Sequence, residues 1–214
     1  MRKLFLLLAM FVVVGAGINA SAQDEVWDVA ELCFYGGLGI PAGGIGDFHD
    51  SLGASTGWSI GLDIGYFLRY NTVIGFNFRY TEMGIDAEGE VGGKKHRLYN
   101  PNLYLKYYFY GESNFEPYAK AYVGVENPKF FTDRSLPVRK YAPVSYDPSL
   151  ALGLGGGLFY YTSDFSGLYL EANYHWANTK DASRDYPSEE VVFGDNLGLL
   201  DIHGGIRILI GSGD

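Results

Sequence analysis

The sequence predicts an all-β fold, namely an eight-stranded antiparallel transmembrane up-and-down β-barrel. Three observations support this prediction. Apolar and small or polar residues alternate with a period of two, the connections alternate between short and long, and the 214 residues include 30 Gly and 18 Tyr with only 19% charged residues. Narrow barrels use glycine where the interior is crowded and aromatic residues at the two membrane–water boundaries.

The N-terminus has the order of a cleaved secretory signal. Arg2 and Lys3 precede an apolar run over residues 4–14, and small residues follow up to Ala22. The alternative is a membrane anchor, but the run is too short to span a bilayer and no stop-transfer charges follow it. We expect cleavage after Ala22, which leaves 192 of the 214 residues. Because the signal carries two bases and no acid, the net charge of −9 becomes −11.

The acidic charge argues against nucleic acid as a partner, because phosphates need Lys and Arg. The single cysteine, Cys33, has no second cysteine for an internal disulfide and is expected to be a small buried side chain. No residue pattern indicates a cofactor. Asp47, His49 and Asp50 lie close together in the chain, but this grouping is too weak to predict a metal site.

The alternation predicts eight strands. In the clearest of them, Trp58, Ile60 and Leu62 alternate with smaller or polar residues. Pro101 lies inside the fourth strand, where it removes one ladder hydrogen bond and predicts a bulge or a strained ladder. The eight predicted strands cover residues 31–41, 56–69, 74–81, 96–110, 117–125, 150–161, 168–176 and 199–210.

The connections between these strands alternate in length. Short ones lie near residues 70, 114 and 164, and long ones cover about 42–55, 83–95, 126–149 and 177–196. Outer-membrane barrels have short periplasmic turns and long external loops, and an even strand count places both termini in the periplasm. The predicted organisation is a signal peptide over 1–22, a short periplasmic segment over 23–30 and the barrel over 31–211.

Alternation alone does not separate a membrane barrel from a soluble one, whose apolar face would point inward. Here the apolar face is too bulky for an eight-stranded interior, which holds little more than filling side chains. The other face is mostly Gly, Ser, Asn and Ala with isolated charges, where a water-facing strand would carry more Lys and Glu. We therefore expect the apolar face to meet lipid and the other face to line the lumen.

Charges inside a packed lumen need partners. A hairpin centred near Tyr70 and Asn71 predicts an ion pair between Asp63 and Arg79. Similar reasoning around Asn114 places Lys120 opposite Tyr108 and Lys106 opposite Tyr122. The predicted lumen network consists of Asp63, Arg79, Lys106, Lys120, Glu171, His175, Asp201, His203 and Arg207.

Three strands resemble those of a known family. The segment 97–109 is a leucine-rich strand with an internal proline that ends in Lys106-Tyr107-Tyr108-Phe109, and the Pro117-Tyr118 strand and the last strand, Leu200–Arg207, are similar too. Over residues 31–211 the chain resembles the Bacteroidetes-type outer-membrane β-barrel proteins, a porin-like family. The resemblance implies location in a Gram-negative outer membrane and supplies no catalytic residues.

Two sets of residues are candidates for function. His175 and His203 are both expected to face the lumen and are candidates for a buried base pair, although a hydrogen-bonded structural network is the favoured interpretation. The external loops are the second candidate, either as binding surfaces or as solvated loops. The basic aromatic loop carries Lys129, Phe130, Phe131, Arg134, Arg139, Lys140, Tyr141 and Tyr146, and the last loop carries Asp181, Asp185, Glu189, Glu190 and Asp195.

These observations favour a non-enzymatic integral outer-membrane barrel with a filled polar lumen, acting as an envelope scaffold or surface-binding protein. A narrow porin-like channel for small solutes is one alternative, and a lipid-modifying enzyme is another. The expected partners are outer-membrane lipid and lipopolysaccharide, with the barrel-assembly machinery during insertion. The sequence does not specify an external ligand.

Overall fold

The computed structural model describes residues 29–42, 54–85, 95–110, 114–131, 144–146, 148–178, 182–183 and 197–211. Ten β-strands account for nearly all of them. Eight are long: β1 (Val29–Pro41), β2 (Ala54–Arg69), β3 (Thr72–Ile85), β4 (Lys95–Tyr108), β5 (Phe115–Phe131), β7 (Ser149–Ser163), β8 (Ser166–Ala177) and β10 (Leu197–Gly211). Two are short: β6 (Val144–Tyr146) and β9 (Ala182–Ser183).

The eight long strands close into an antiparallel barrel, which confirms the predicted fold. Neighbouring long strands pair in chain order, and β1 pairs with β10 from Val29↔Gly211 to Pro41↔Leu199, so no edge is left open. The short strands β6 and β9 continue from the far end of β5. The part of the chain that the structure describes contains no helix long and apolar enough to cross a membrane.

The two ends of the barrel differ. Both barrel termini and the connections after β2, β4 and β7 lie at one end, which we call the hairpin end. The strand ends that flank the four longer connections lie at the opposite end, which we call the loop end. The largest departure from the predicted strand bounds is β5, which continues to Phe131 instead of stopping at Val125. The expectation that Lys129, Phe130 and Phe131 belong to a loop is therefore wrong.

The two faces of each strand are sharply different, and the predicted orientation is confirmed. Many of the large apolar side chains on the outward face are exposed, with Trp58 at 45% and Leu103 at 61%. Charged and amide side chains on the inward face are almost completely buried, with Asp201 at 0% and Asp63 at 1%. The bulky residues thus surround the barrel and the polar residues fill it.

Glycine and tyrosine fill the lumen together. The Tyr122 ring lies over Gly153, its register partner on the neighbouring strand, and a Cβ built on Gly153 would lie 2.0 Å from a ring carbon. Tyr118 covers Gly157 in the same way. The sequence interpretation placed the aromatic residues at the membrane boundaries, but many of the tyrosines lie inside, because glycine leaves room for a ring to lie flat across the strand.

Apolar side chains form two buried clusters in the lumen, and charged groups occupy the space between and beside them. The first cluster contains Val29, Cys33, Tyr35, Phe67, Val73, Tyr104, Tyr108, Tyr118, Tyr122, Phe159 and Tyr169. The second lies at the loop end and contains Ala54, Met83, Leu98, Ala151, Ala177, Leu197 and Leu199. Cys33 is 1% exposed, which agrees with its predicted role as a small buried residue.

Pro101 interrupts the ladder between β4 and β5 without producing a bulge there. Pairing stops after Tyr99↔Asn127 and resumes at Asn102↔Gly124 in the same register. The side-chain Nδ2 of Asn100 donates a hydrogen bond to the Val125 carbonyl at 3.0 Å. Because proline has no N–H, this amide supplies the donor that the backbone lacks at this point.

The tyrosine-over-glycine packing predicts the effect of adding one methyl group. Gly153→Ala should destabilise the folded barrel by about 1–3 kcal/mol, because the new methyl group overlaps the Tyr122 ring. Gly36→Ala is the matched control, since its added Cβ would meet nothing closer than 3.7 Å. Urea unfolding of both variants in detergent micelles measures the difference. Equal midpoints for the two variants would show that the ring moves aside without cost.

Candidate functional site

The lumen contains all nine charged side chains that the sequence assigned to it. Each is at most 4% exposed. Strand alternation explains the placement, because these residues share the inward face with glycine and tyrosine. They are Asp63 on β2, Arg79 on β3, Lys106 on β4, Lys120 on β5, Glu171 and His175 on β8, and Asp201, His203 and Arg207 on β10.

Three buried carboxylates on the inward face were missed by sequence reasoning, and one of them, Glu116 on β5, is 6% exposed. Glu31 on β1 and Glu126 on β5 are both 0% exposed. Glu31 begins the predicted first strand and shares a face with Cys33 and Tyr35, so its position on the alternating pattern could have revealed it. Glu126 was assigned to a loop, because the polar and proline residues that follow Val125 hide the continuation of β5.

Glu31 is the centre of the first ionic group, which lies within the tyrosine-rich cluster. Lys106 Nζ is 2.6 Å from Glu31 Oε1, and the hydroxyls of Tyr104 and Tyr108 donate to the two carboxylate oxygens at 2.9 and 2.8 Å. The Arg207 guanidinium lies 3.8 Å from Glu31 Oε2. Its carbon stands 3.4 Å from the centre of the Phe159 ring, a cation–π contact.

A second ionic group crosses the middle of the lumen. Lys120 Nζ bridges Asp63 Oδ2 at 2.6 Å and Glu171 Oε1 at 3.1 Å. Glu171 also accepts a hydrogen bond of 2.6 Å from the Tyr118 hydroxyl, and His203 Nε2 lies 3.2 Å from its Oε1. This group links β2, β5, β8 and β10 through side chains, so it joins opposite walls of the barrel.

The predicted ion pair between Asp63 and Arg79 is wrong. Arg79 instead forms a buried ion pair with Asp201 on β10 and donates a 3.0 Å hydrogen bond to Asn100 Oδ1. In the β2–β3 register Asp63 lies opposite Asn77 and Arg79 lies opposite Gly61. The predicted register was displaced by two residues, which keeps every side chain on its correct face but brings the wrong partners together.

The same error occurs in the next hairpin. Lys106 lies opposite Lys120, where Tyr122 was expected, and Tyr108 lies opposite Tyr118. The two like charges are tolerated because each ammonium group has its own carboxylates, Glu31 for Lys106 and Asp63 with Glu171 for Lys120. Partner choice therefore compensates for a cross-strand contact that would be unfavourable in isolation.

The two lumen histidines serve different carboxylates. His175 Nε2 contacts Glu126 Oε2 with both side chains at 0% exposure, whereas His203 contacts Glu171. His175 lies opposite Leu199 on β10, and His203 lies opposite Glu171 on β8. Each histidine is thus enclosed beside an acidic residue, and the proposed pairing of the two imidazoles with each other is not what the structure shows.

Several sequence candidates fall outside the residues that the structure describes. These are Asp47, His49 and Asp50 of the first loop, Arg134, Arg139, Lys140 and Tyr141 of the basic loop, and Asp181, Asp185, Glu189, Glu190 and Asp195 of the last loop. Within the described ranges, no group of three or more His, Cys, Asp or Glu side chains is placed to hold a metal ion.

Comparison with known proteins gives the class of the fold. No family model matches the chain, and no curated protein is significantly similar to it in sequence. Among solved structures it is similar to Neisserial surface protein A, with a TM-score of 0.56, 16% identity and coverage of 84% of this chain and 96% of that chain. The outer membrane protein OprG from Pseudomonas aeruginosa has a TM-score of 0.53 and 16% identity, over 87% of this chain and 98% of that one.

These likenesses show that the chain has the closed β-barrel fold found in outer-membrane proteins of Gram-negative bacteria. At this level of identity they establish the fold alone. The resemblance to the Bacteroidetes-type family stays a prediction.

The observed partner of Arg79 can be tested with double-mutant cycles. Arg79→Met and Asp201→Asn should show a coupling of about 1–3 kcal/mol in unfolding free energy, because they remove the two halves of one buried contact. The control cycle combines Arg79→Met with Asp63→Asn and should give a clearly smaller coupling, since Asp63 and Arg79 are connected through intervening side chains such as Asn77 and Asn100. A larger coupling in the control cycle would show that Asp63 is the partner of Arg79, as the register predicted from sequence requires.

Proposed function

We propose that this protein is a non-enzymatic integral outer-membrane β-barrel that acts as an envelope scaffold or surface-binding protein. In this proposal the signal peptide over 1–22 exports the chain and is removed. The observation that carries the proposal is the division of the barrel wall into an exposed apolar outer face and a buried ionic inner face. A water-soluble barrel would have these faces exchanged.

The dimensions of the outer face suit a bilayer. The eight long strands have 12–17 residues, whereas a tilted transmembrane strand needs about 9–11. Aromatic side chains stand near both margins of the apolar surface, with Trp58, Tyr80 and Tyr99 toward the loop end and Tyr110 and Phe115 at the hairpin end. Such girdles occur at the two interfaces of outer-membrane barrels, so we assign the hairpin end to the periplasm and the loop end to the exterior.

The filled lumen favours a scaffold over a channel. Ion pairs run from wall to wall, such as Lys120 on β5 to Asp63 on β2, and the side chains that form them are at most 4% exposed. Moving them aside to admit solutes would leave buried charges without partners, which costs several kcal/mol for each charge. A narrow porin-like channel would need that rearrangement.

The histidine environments favour a non-enzymatic role over lipid modification. A lipid substrate approaches from the outer face or the rim, whereas His175 and His203 are 0% and 2% exposed and point into the lumen. Surface binding would fall to the long loops, which carry the basic, aromatic and acidic side chains. Insertion by the barrel-assembly machinery and contact with outer-membrane lipid and lipopolysaccharide belong to the same proposal.

Membrane insertion predicts that Trp58 contacts acyl chains. A variant with Trp27→Phe and Trp176→Phe, folded into phosphatidylcholine vesicles, should lose most of its fluorescence when the acyl chains carry bromine. The same fluorescence should resist a water-borne quencher such as iodide, because Trp58 is 45% exposed on the outer face. The urea-unfolded chain provides the control. Strong quenching by iodide with no effect of bromine would contradict the proposed orientation.

The filled lumen predicts that the barrel does not conduct ions. Purified protein inserted in a planar bilayer should show no steady large openings, because ion pairs fill the cross-section. Folding in the same preparation is checked by the different gel mobility of unheated and boiled samples. Reproducible long-lived openings from folded protein would make the porin-like channel the better function.

A further inference from the structure

The outward face of the described strands carries most of its charged residues in one place, near the loop end. Away from the hairpin end, the outward-facing charged residues of the described strands are Glu82 on β3, Lys95 and Arg97 on β4, and Lys129 on β5. These strands are consecutive neighbours in the barrel wall, and all four residues lie near the loop end. Other outward positions are apolar, or Gly, Ser, Thr, Asn or Pro. We call Lys95, Arg97 and Lys129 the outer basic cluster.

The cluster is built around one carboxylate. Arg97 lies opposite Glu82 on one side and opposite Lys129 on the other. Lys95 Nζ is 2.5 Å from Glu82 Oε1, and Arg97 Nε is 2.9 Å from Glu82 Oε2. The Glu82 side chain is only 11% exposed, whereas those of Lys95 and Arg97 are 50% and 33% exposed. Three cations and one covered carboxylate therefore present a cationic surface.

The depth of the cluster is set by a row of aromatic rings. The rings of Trp58 and Tyr80 lie 5.3 Å apart and those of Tyr80 and Tyr99 lie 5.2 Å apart. Glu82 on β3 and Arg97 on β4 lie two positions beyond these rings toward the loop end, and Lys95 lies four positions beyond. Lys129 Nζ stands 5.5 Å from the centre of the Tyr99 ring. Aromatic rings mark the edge of the hydrocarbon core, so the cations stand at the level of the lipid headgroups.

We propose that the outer basic cluster binds the phosphate groups of a lipopolysaccharide lipid anchor in the external leaflet. The inference rests on the proposed function, because that supplies both the membrane and the direction of the barrel. Arginine and lysine donors suit phosphate oxygens, and Glu82 holds two of them side by side before a ligand arrives.

The charge balance of the whole chain supports an anionic occupant at this position. The net charge is −9, so attraction of an anionic headgroup depends on a local basic surface. The cations point outward from the wall beside lipid-exposed rings. A phosphate carried on a lipid reaches that position directly, whereas a soluble polyanion would have to compete with the surrounding leaflet.

The test measures binding of lipid A by the full mature chain folded in phosphatidylcholine vesicles. Each basic residue near an anionic surface contributes roughly fivefold in affinity. The triple variant Lys95→Gln, Arg97→Gln, Lys129→Gln should therefore weaken binding by at least tenfold. Arg69→Gln, at the hairpin end, is the matched control and should stay within about twofold of the unchanged protein. Wild-type binding should also weaken as NaCl is raised.

Two further ligands test which lipid headgroup the outer basic cluster recognises. Dephosphorylated lipid A and the anionic phospholipid phosphatidylglycerol should both bind the unchanged protein at least tenfold more weakly than phosphorylated lipid A. Equal binding of phosphatidylglycerol would overturn the assignment to lipopolysaccharide, and unchanged binding by the triple variant would overturn the site.

Insertion is checked in the same vesicles by bromine quenching of Trp58. Absence of quenching would refute the proposed function and this inference together, whereas quenching without lipid A binding would refute the inference alone.

Discussion

The closure of eight strands into a narrow cylinder is the constraint on which the rest of the structure depends. Successive side chains point to opposite sides of a closed wall, so each strand has one inward and one outward face. The interior is too narrow for bulk water, and every inward charge must therefore find a partner across the lumen. The contacts of Lys120 with Asp63 and Glu171, and of Arg79 with Asp201, are consequences of this enclosure.

Sequence reasoning recovered the face of almost every strand residue but not the partners. A period-two pattern determines which side chains point inward, and a register displaced by two residues satisfies that pattern equally well. The β2–β3 hairpin contains an irregularity between Phe67 and Arg69, which shifts the pairing without any signature in composition. Partners such as Arg79 and Asp201 also come from strands that are not neighbours, so they depend on the three-dimensional course of the wall.

The ends of strands and the role of tyrosine were harder to predict for a related reason. The apolar alternation on β5 ends at Val125 because Glu126, Asn127 and Pro128 follow, yet pairing with β4 and β6 continues the strand to Phe131. Tyrosine is amphipathic and suits an interface or a hydrogen-bonded interior equally well. Only the glycine on the adjacent strand, such as Gly153 beside Tyr122, decides between the two, and that adjacency is a property of register.

The two faces of the wall handle charge in opposite ways. Inside, carboxylates and cations are interleaved, so that Lys106 and Lys120 lie opposite each other and each contacts its own carboxylates. Because the interior charges are paired, their electric field outside the barrel wall is weak. Outside, Glu82 offsets only part of the charge of its neighbours, so the outer basic cluster supplies the one concentrated charge on the outward surface of the described strands away from the hairpin end. In the proposed orientation the interior ions are paired with one another inside the lumen, whereas the outer basic cluster faces the lipid headgroups.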